Sequence, residues 1–275
     1  FEIYFYIMVI CAVGAVISGA ATLFTELGIM PYLVAVVVVG VILLFLTIFG
    51  YKLVSQVSTV MSVIILICCA VIFIMGINAK AGEIGAIFSA AELPNGILLP
   101  ILDAFKYAGF QAVVIPTMIK CGQPLKTQRN ATKAMSISFV LNAAALALSC
   151  IMLLGWYADF TAAGATEIPT LYICQQLGVD SLYWFYNIAL FLCFVSTGVT
   201  TVFGVVARFE NVRPLMKINK PIVRRIIVSA CVMILSMAVS MVGLSNIIQY
   251  GYGYCGYVGI VIIIIPFLTV GVYKN

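Results

Sequence analysis

The sequence predicts an all-α integral membrane protein, and three observations carry that reading. Of 275 residues, 64% are hydrophobic and only 8% charged, against about 45–50% apolar and 25% charged in soluble domains. Too little polar surface exists to cover a globule in water. The charges also lie far enough apart to leave uncharged runs of the roughly 20 residues that one membrane crossing needs. Finally, these runs lack the period-two alternation of a barrel strand, so their backbone polar groups must be satisfied within helices.

Reading from charge to charge gives the elements in order. The runs Glu2 to Glu26, Glu26 to Lys52 and Lys52 to Lys80 each make one span. The fourth span lies between Glu92 and Lys120 and contains Asp103 and Lys106; the fifth runs from Lys133 to Asp159, the sixth from Asp180 to Arg208. The uncharged stretch from Arg225 to Lys274 is long enough for two, with a turn expected at Gly243-Leu244-Ser245-Asn246, which makes about eight spans in all. Two connections carry structure of their own. Lys80 to Pro94 is mildly amphipathic and predicts a short surface helix, and Pro169, followed by apolar spacing, predicts a second before Asp180.

Orientation follows from the cations. Lys52, the group Lys120, Lys126, Arg129 and Lys133, the group Arg208, Arg213, Lys217, Lys220, Arg224 and Arg225, and Lys274 all fall on one side. The opposite connections hold Glu26, Glu83, Glu92, Asp159, Glu167 and Asp180, with Lys80 as the sole cation. That asymmetry predicts a multi-pass protein of the cytoplasmic membrane with both ends of this chain inside. It also accounts for the net charge of +5 without nucleic acid; a lipid-headgroup or partner site in the Arg208–Arg225 loop is the alternative use of those cations. With no His and only 9 Asp+Glu, the chain lacks the inventory of a hydrolytic or metal-dependent enzyme, so no catalysis, resident metal or cofactor is expected. Cys11, Cys68, Cys69, Cys150, Cys193, Cys231 and Cys255 sit in apolar stretches, where a thiol packs as a small hydrophobe.

The fourth span holds the candidate chemistry. Asp103 and Lys106 are the only ionisable side chains within the membrane core and share a helix face at i, i+3. Charges at that depth cost roughly 2.5–3.5 kcal/mol each, so they face a cavity or a partner. Pro100 and Pro116 flank a small-residue pair, Ala108-Gly109, bordered by Tyr107, Phe110 and Gln111. A kinked helix whose charges merely neutralise one another is the bland reading. The sharper expectation is a discontinuous helix, unwound over Tyr107–Gln111, whose free N–H and C=O groups receive a zwitterionic solute. In the sixth span Thr197, Thr200 and Thr201 cluster hydroxyls on neighbouring positions, as polar packing or as oxygen ligands for a cation. Small residues Gly14, Ala15, Ser18 and Gly19 in the first span predict close helix approach. The aromatic run Gln249 to Tyr254 reads as an interfacial belt or an outer gate.

About five spans run from the candidate broken helix to the end and about three precede it, by the same length rule. An inverted-repeat transporter pairs two repeats of equal length, each opening with a discontinuous helix. The expectation is therefore two further spans ahead of Phe1, with residues 1–80 the remainder of a first repeat and 96–275 the second, within one transporter domain.

Tyr107-Ala-Gly-Phe-Gln, Ile17-Ser-Gly-Ala-Ala and Phe49-Gly-Tyr-Lys-Leu-Val resemble a bacterial group of amino-acid permeases in the amino acid–polyamine–cation transporter superfamily. The likeness implies a LeuT-like five-plus-five helical bundle, with this chain equivalent to spans three to ten. It implies a substrate site on Tyr107, Ala108, Gly109, Phe110 and Gln111, and a sodium site of small-x-x-[Ser/Thr]-[Ser/Thr] pattern on Thr197, Thr200 and Thr201. The Asp103–Lys106 pair departs from the general family pattern and leaves coupling open between Na+ and H+. The expected function is secondary transport of a small amino-acid-like or amine solute through the lipid bilayer by alternating access. A channel, which needs a continuous polar lining or a symmetric ring, and a non-transporting membrane assembly protein are the rivals.

Overall fold

Uncharged stretches of this length fold into helices because lipid offers their peptide groups no alternative partner. The computed structural model describes residues 2–90, 96–112, 115, 125–209, 212, 215, 218, 220–271 and 273; among these there is helix and no strand. Seven helices are long and apolar enough to cross a membrane. They are α1 (Glu2–Glu26), α2 (Tyr32–Gly50), α3 (Tyr51–Ala79, apolar over Gln56–Ala79), α6 (Gln128–Ala162), α8 (Asp180–Phe209), α9 (Pro221–Ser240) and α10 (Leu244–Gly271). The remaining helices are shorter: α4 (Ala81–Ala90), α5 (Leu98–Gln111) and α7 (Pro169–Gln176). The expected short helices after Lys80 and at Pro169 are thus α4 and α7, and the chain is a multi-pass membrane protein. Of the eighth expected span, the described residues include α5, which is 14 residues long and is not among the seven; Pro116, Lys120 and the acidic Glu92 lie outside the described residues.

Turn chemistry sets two of the joins. Gly243 adopts φ +90°, a conformation that side chains disfavour, and it separates α9 from α10 where the turn was expected. Gly28, at φ +67°, closes α1 before Pro31 starts α2. The join expected near Lys52 differs. No non-helical residue separates α2 from α3; instead the last turn of α2, Leu46–Gly50, is a π-turn. The reason is local, since a lone lysine does not stop a helix and no proline occurs between Pro31 and Pro94. π-turns are among the few places where a helix bends.

The chain divides into two compact units interleaved in sequence: 1–68, 166–171 and 180–252 form the first, 69–165, 172–179 and 253–275 the second. In the first unit α1 is the central rod, packed against α2, α8 and α9. Its core joins Val13, Ile17 and Ala20 of α1 to Val36 and Val39 of α2, Val199 and Val202 of α8, and Val232 of α9. Small residues allow this. A Cβ on Gly14 would crowd Val239 and the Ser236 carbonyl, and one on Gly19 would meet the Phe194 ring, so the small-residue face of the first span serves packing. At one end of this bundle Ser18 Oγ lies 2.7 Å from Tyr32 Oη, which donates to the Ser240 carbonyl at 2.6 Å. Beside it Thr22 Oγ1 donates to Glu167 Oε2 at 2.7 Å, tying the segment before α7 to α1.

In the second unit α4 packs against α6. Gly155 of α6 receives Ile84, and Trp156 Nε1 donates to the Gly76 carbonyl at 2.9 Å. Lys80, the lone cation among the acidic connections, is locked here. Its Nζ lies 2.7 Å from Glu83 Oε1, 2.9 Å from Asp159 Oδ2 and 5.1 Å from the centre of the Trp156 ring. The Glu83 hydrogen bond and then Asp159 hold its ammonium above the ordinary lysine range, against an opposing push from burial.

Candidate functional site

The site assembles from two helix pieces of the second unit: α5 and the α-helical stretch Gly253–Gly259 within α10. Glycine brings them together. A Cβ added to Gly109 would collide with the Gly256 carbonyl, and one added to Gly256 would collide with the Lys106 carbonyl, so the two backbones touch. Close approach of this kind is what small residues permit in lipid, where van der Waals packing drives association.

The charged pair sits on the same face. Lys106 Nζ is 2.5 Å from Asp103 Oδ1 and 5.6 Å from the centre of the Tyr257 ring. The i, i+3 pairing expected from sequence is therefore made, with Asp103 the more exposed partner. Tyr257 supplies a ring face to the ammonium, an attraction that strengthens when water is excluded. Neither Tyr257 nor Gly256 was singled out by sequence. Their only signal was a run of glycines and tyrosines from Tyr250 to Tyr257.

The unwinding expected over Tyr107–Gln111 is absent. α5 is regular helix through Gln111, and Tyr107, Ala108, Gly109 and Phe110 all carry helical backbone. The helix tightens to a 3₁₀ turn one residue later, at Ala112, whose N–H reaches the Ala108 and Phe110 carbonyls. Two forces explain the persistence. Nothing between Pro100 and Pro116 breaks a helix except Gly109, and the Gly109–Gly256 contact holds that residue in register. The N–H groups over 107–111 are thus bonded within the helix and not free for a solute. What the stretch offers instead is side chains: Gln111 Nε2 donates to Tyr107 Oη at 2.7 Å, Tyr107 is exposed, and its ring centre lies 6.4 Å from that of Phe110.

Irregular backbone does occur, in α10. It contains three π-turns, Ile247–Tyr252, Ile260–Ile264 and Phe267–Gly271, two of which bracket the Gly253–Gly259 stretch. Such turns are rare and concentrate at functional sites, because each interrupts the i to i−4 ladder. Of the run Gln249 to Tyr254, residues 249–252 lie within the first.

In the first unit, Thr197, Thr200 and Thr201 lie on regular α8. Thr200 Oγ1 donates to the Ser196 carbonyl at 2.8 Å and approaches that of Thr197 at 3.2 Å. Its proton is committed to its own helix while its lone pairs still accept. Gly198, beside them, is filled by Leu43 and Val16. Among the described residues no group of His, Cys, Asp or Glu could hold a metal ion. No family model, curated protein or solved structure matches the chain.

Proposed function

We propose that this protein is a secondary transporter that moves a small amino-acid-like or amine solute across the cytoplasmic membrane, coupled to Na+ or H+. The observation that carries the reading is the Asp103–Lys106 pair with Tyr257, on two helix pieces whose backbones touch. Ionisable groups kept in a segment this apolar mark a solute or ion path by default. The pair presents one carboxylate and one ammonium, the complements of a zwitterion's two ends. In this reading Asp103 receives an ammonium, Lys106 a carboxylate, and Tyr107 and Gln111 orient the solute. Ala108, Gly109 and Phe110 set how closely the neighbouring helix approaches.

Thr197, Thr200 and Thr201 supply the hydroxyl oxygens toward a hard coupling cation. Alternating access needs helices that bend as the solute site changes sides. The π-turns of α10 and the 3₁₀ turn at Ala112 offer places for that bending.

The test is uptake into proteoliposomes of full-length protein, with labelled amino acids and amines and imposed Na+ or proton gradients. Gradient-driven uptake that Asp103→Asn reduces at least tenfold is expected; absence of uptake for every amino acid and amine would overturn the proposal.

A further inference from the structure

The first unit contains a cleft of about 360 Å³ that no part of the proposed transport site uses. Its walls are Val9 of α1, Val205 and Phe209 at the end of α8, and Val228, Cys231 and Leu235 on the first half of α9. Leu215, from the segment joining α8 to α9, covers part of it. The lining is entirely apolar, and Cys231 and Leu235 are exposed at its mouth. The volume falls within the range of sites that enclose small ligands, roughly 300–1,000 Å³. Wholly apolar walls exclude a polar solute.

Charge decides what kind of apolar occupant fits. The cleft lies at the arginine-rich end of the bundle. From Arg208 to Arg225 the sequence holds six cations, Arg208, Arg213, Lys217, Lys220, Arg224 and Arg225, against one acid, Glu210. Arg208 directly precedes the lining residue Phe209, and Arg225 lies one turn before the lining residue Val228. Arg208 already grips a carboxylate at this edge, donating to Glu2 at 2.8 and 2.9 Å with its guanidinium 4.7 Å from the Phe5 ring centre. Lys220 is the N-cap of α9 and gives the first turn no side-chain cap. An apolar slot beneath a cationic rim matches an anionic amphiphile.

We propose that this cleft is a binding site for an anionic phospholipid, with an acyl chain between α1, α8 and α9 and the phosphate held at Lys220 and Arg225. The proposal does not depend on the transport reading. A cation near a membrane surface contributes on the order of 1 kcal/mol toward an acidic lipid, so two of them give a preference on the order of tenfold or more.

The test is native mass spectrometry of the full chain, extracted in mild detergent and given equimolar phosphatidylglycerol and phosphatidylcholine of identical chains. Wild-type protein retains phosphatidylglycerol over phosphatidylcholine by about tenfold. Cys231→Trp, which fills the cleft from an exposed position, lowers retention of both lipids. Lys220→Gln with Arg225→Gln still retains lipid but brings the two lipids to parity. Leu235→Trp repeats the filling test if Cys231→Trp does not fold. Equal retention of both lipids by wild type overturns the proposal, as does retention unchanged by the filling variants.

Discussion

At Gly109 a single hydrogen atom sets the distance between two helices. The Gly256 carbonyl occupies the place that a methyl group would take, and the Lys106 carbonyl does the same opposite Gly256. Gly109→Ala and Gly256→Ala should each destabilise the protein by about 1–3 kcal/mol, the range for overpacking. The double variant should cost less than the sum, because both force apart the same contact. Thermal unfolding in detergent of the two single variants and the double variant reads both effects. Lys80 offers a different test. Its ammonium is held by Glu83 and Asp159, so its folded pKa is raised. Its contribution to stability is fully present below the ordinary lysine value of 10.5 and is lost as pH rises through the raised one. The gap in melting temperature between wild type and Lys80→Met should therefore stay constant from neutral pH to about 10 and close above it. A gap that persisted as pH rose past the raised value would place the stabilisation on another group.

Among the elements, α7 has an entry segment tied down by a distant contact. Thr22, buried on α1, donates to Glu167 across 145 positions of sequence. A hydrogen bond to a charged group is worth about 1.5–3 kcal/mol. Thr22→Val should lower stability by about that much and raise amide exchange over residues 166–171, with α1 itself protected as before. Hydrogen-exchange mass spectrometry checks both halves. Elements also show where sequence stops being informative. Existence and rough extent of α1, α8 and α9 follow from uncharged length alone, and α4 and α7 from spacing and Pro169. The persistence of helix through Tyr107–Gln111 does not follow. A glycine between two prolines reads as a break until its partner, Gly256, is known, and that partner lies 147 residues away. The join near Lys52 falls between two spans as expected, but it is a π-turn rather than a loop, because a lysine does not stop a helix. Pairing of Asp103 with Lys106 was legible because it is local; Tyr257 was not, because its approach depends on that same glycine contact.

For the whole molecule, the distribution of lysine and arginine predicts which connections face the cytoplasm. Ala163, exposed just past α6, and Lys126, exposed just before it, lie at opposite ends of one helix. In intact cells Ala163→Cys should react with a membrane-impermeant maleimide, and Lys126→Cys only after permeabilisation, each scored above the parent chain. The reverse pattern would invert the orientation. α6 itself is long enough for both ends to clear the bilayer: its 35 residues extend about 52 Å, against a hydrocarbon core of about 30 Å.

Contact between α5 and Gly253–Gly259 without an intervening side chain has a mechanical meaning. Ordinary helix neighbours can creep past each other as rotamers yield, whereas two peptide planes in direct contact have no cushion to deform. Sliding by even one step would require the rods to part first. Asp103, Lys106 and Tyr257 must then travel as one rigid cassette, and any displacement of Gly253–Gly259 is transmitted undamped to the charged pair.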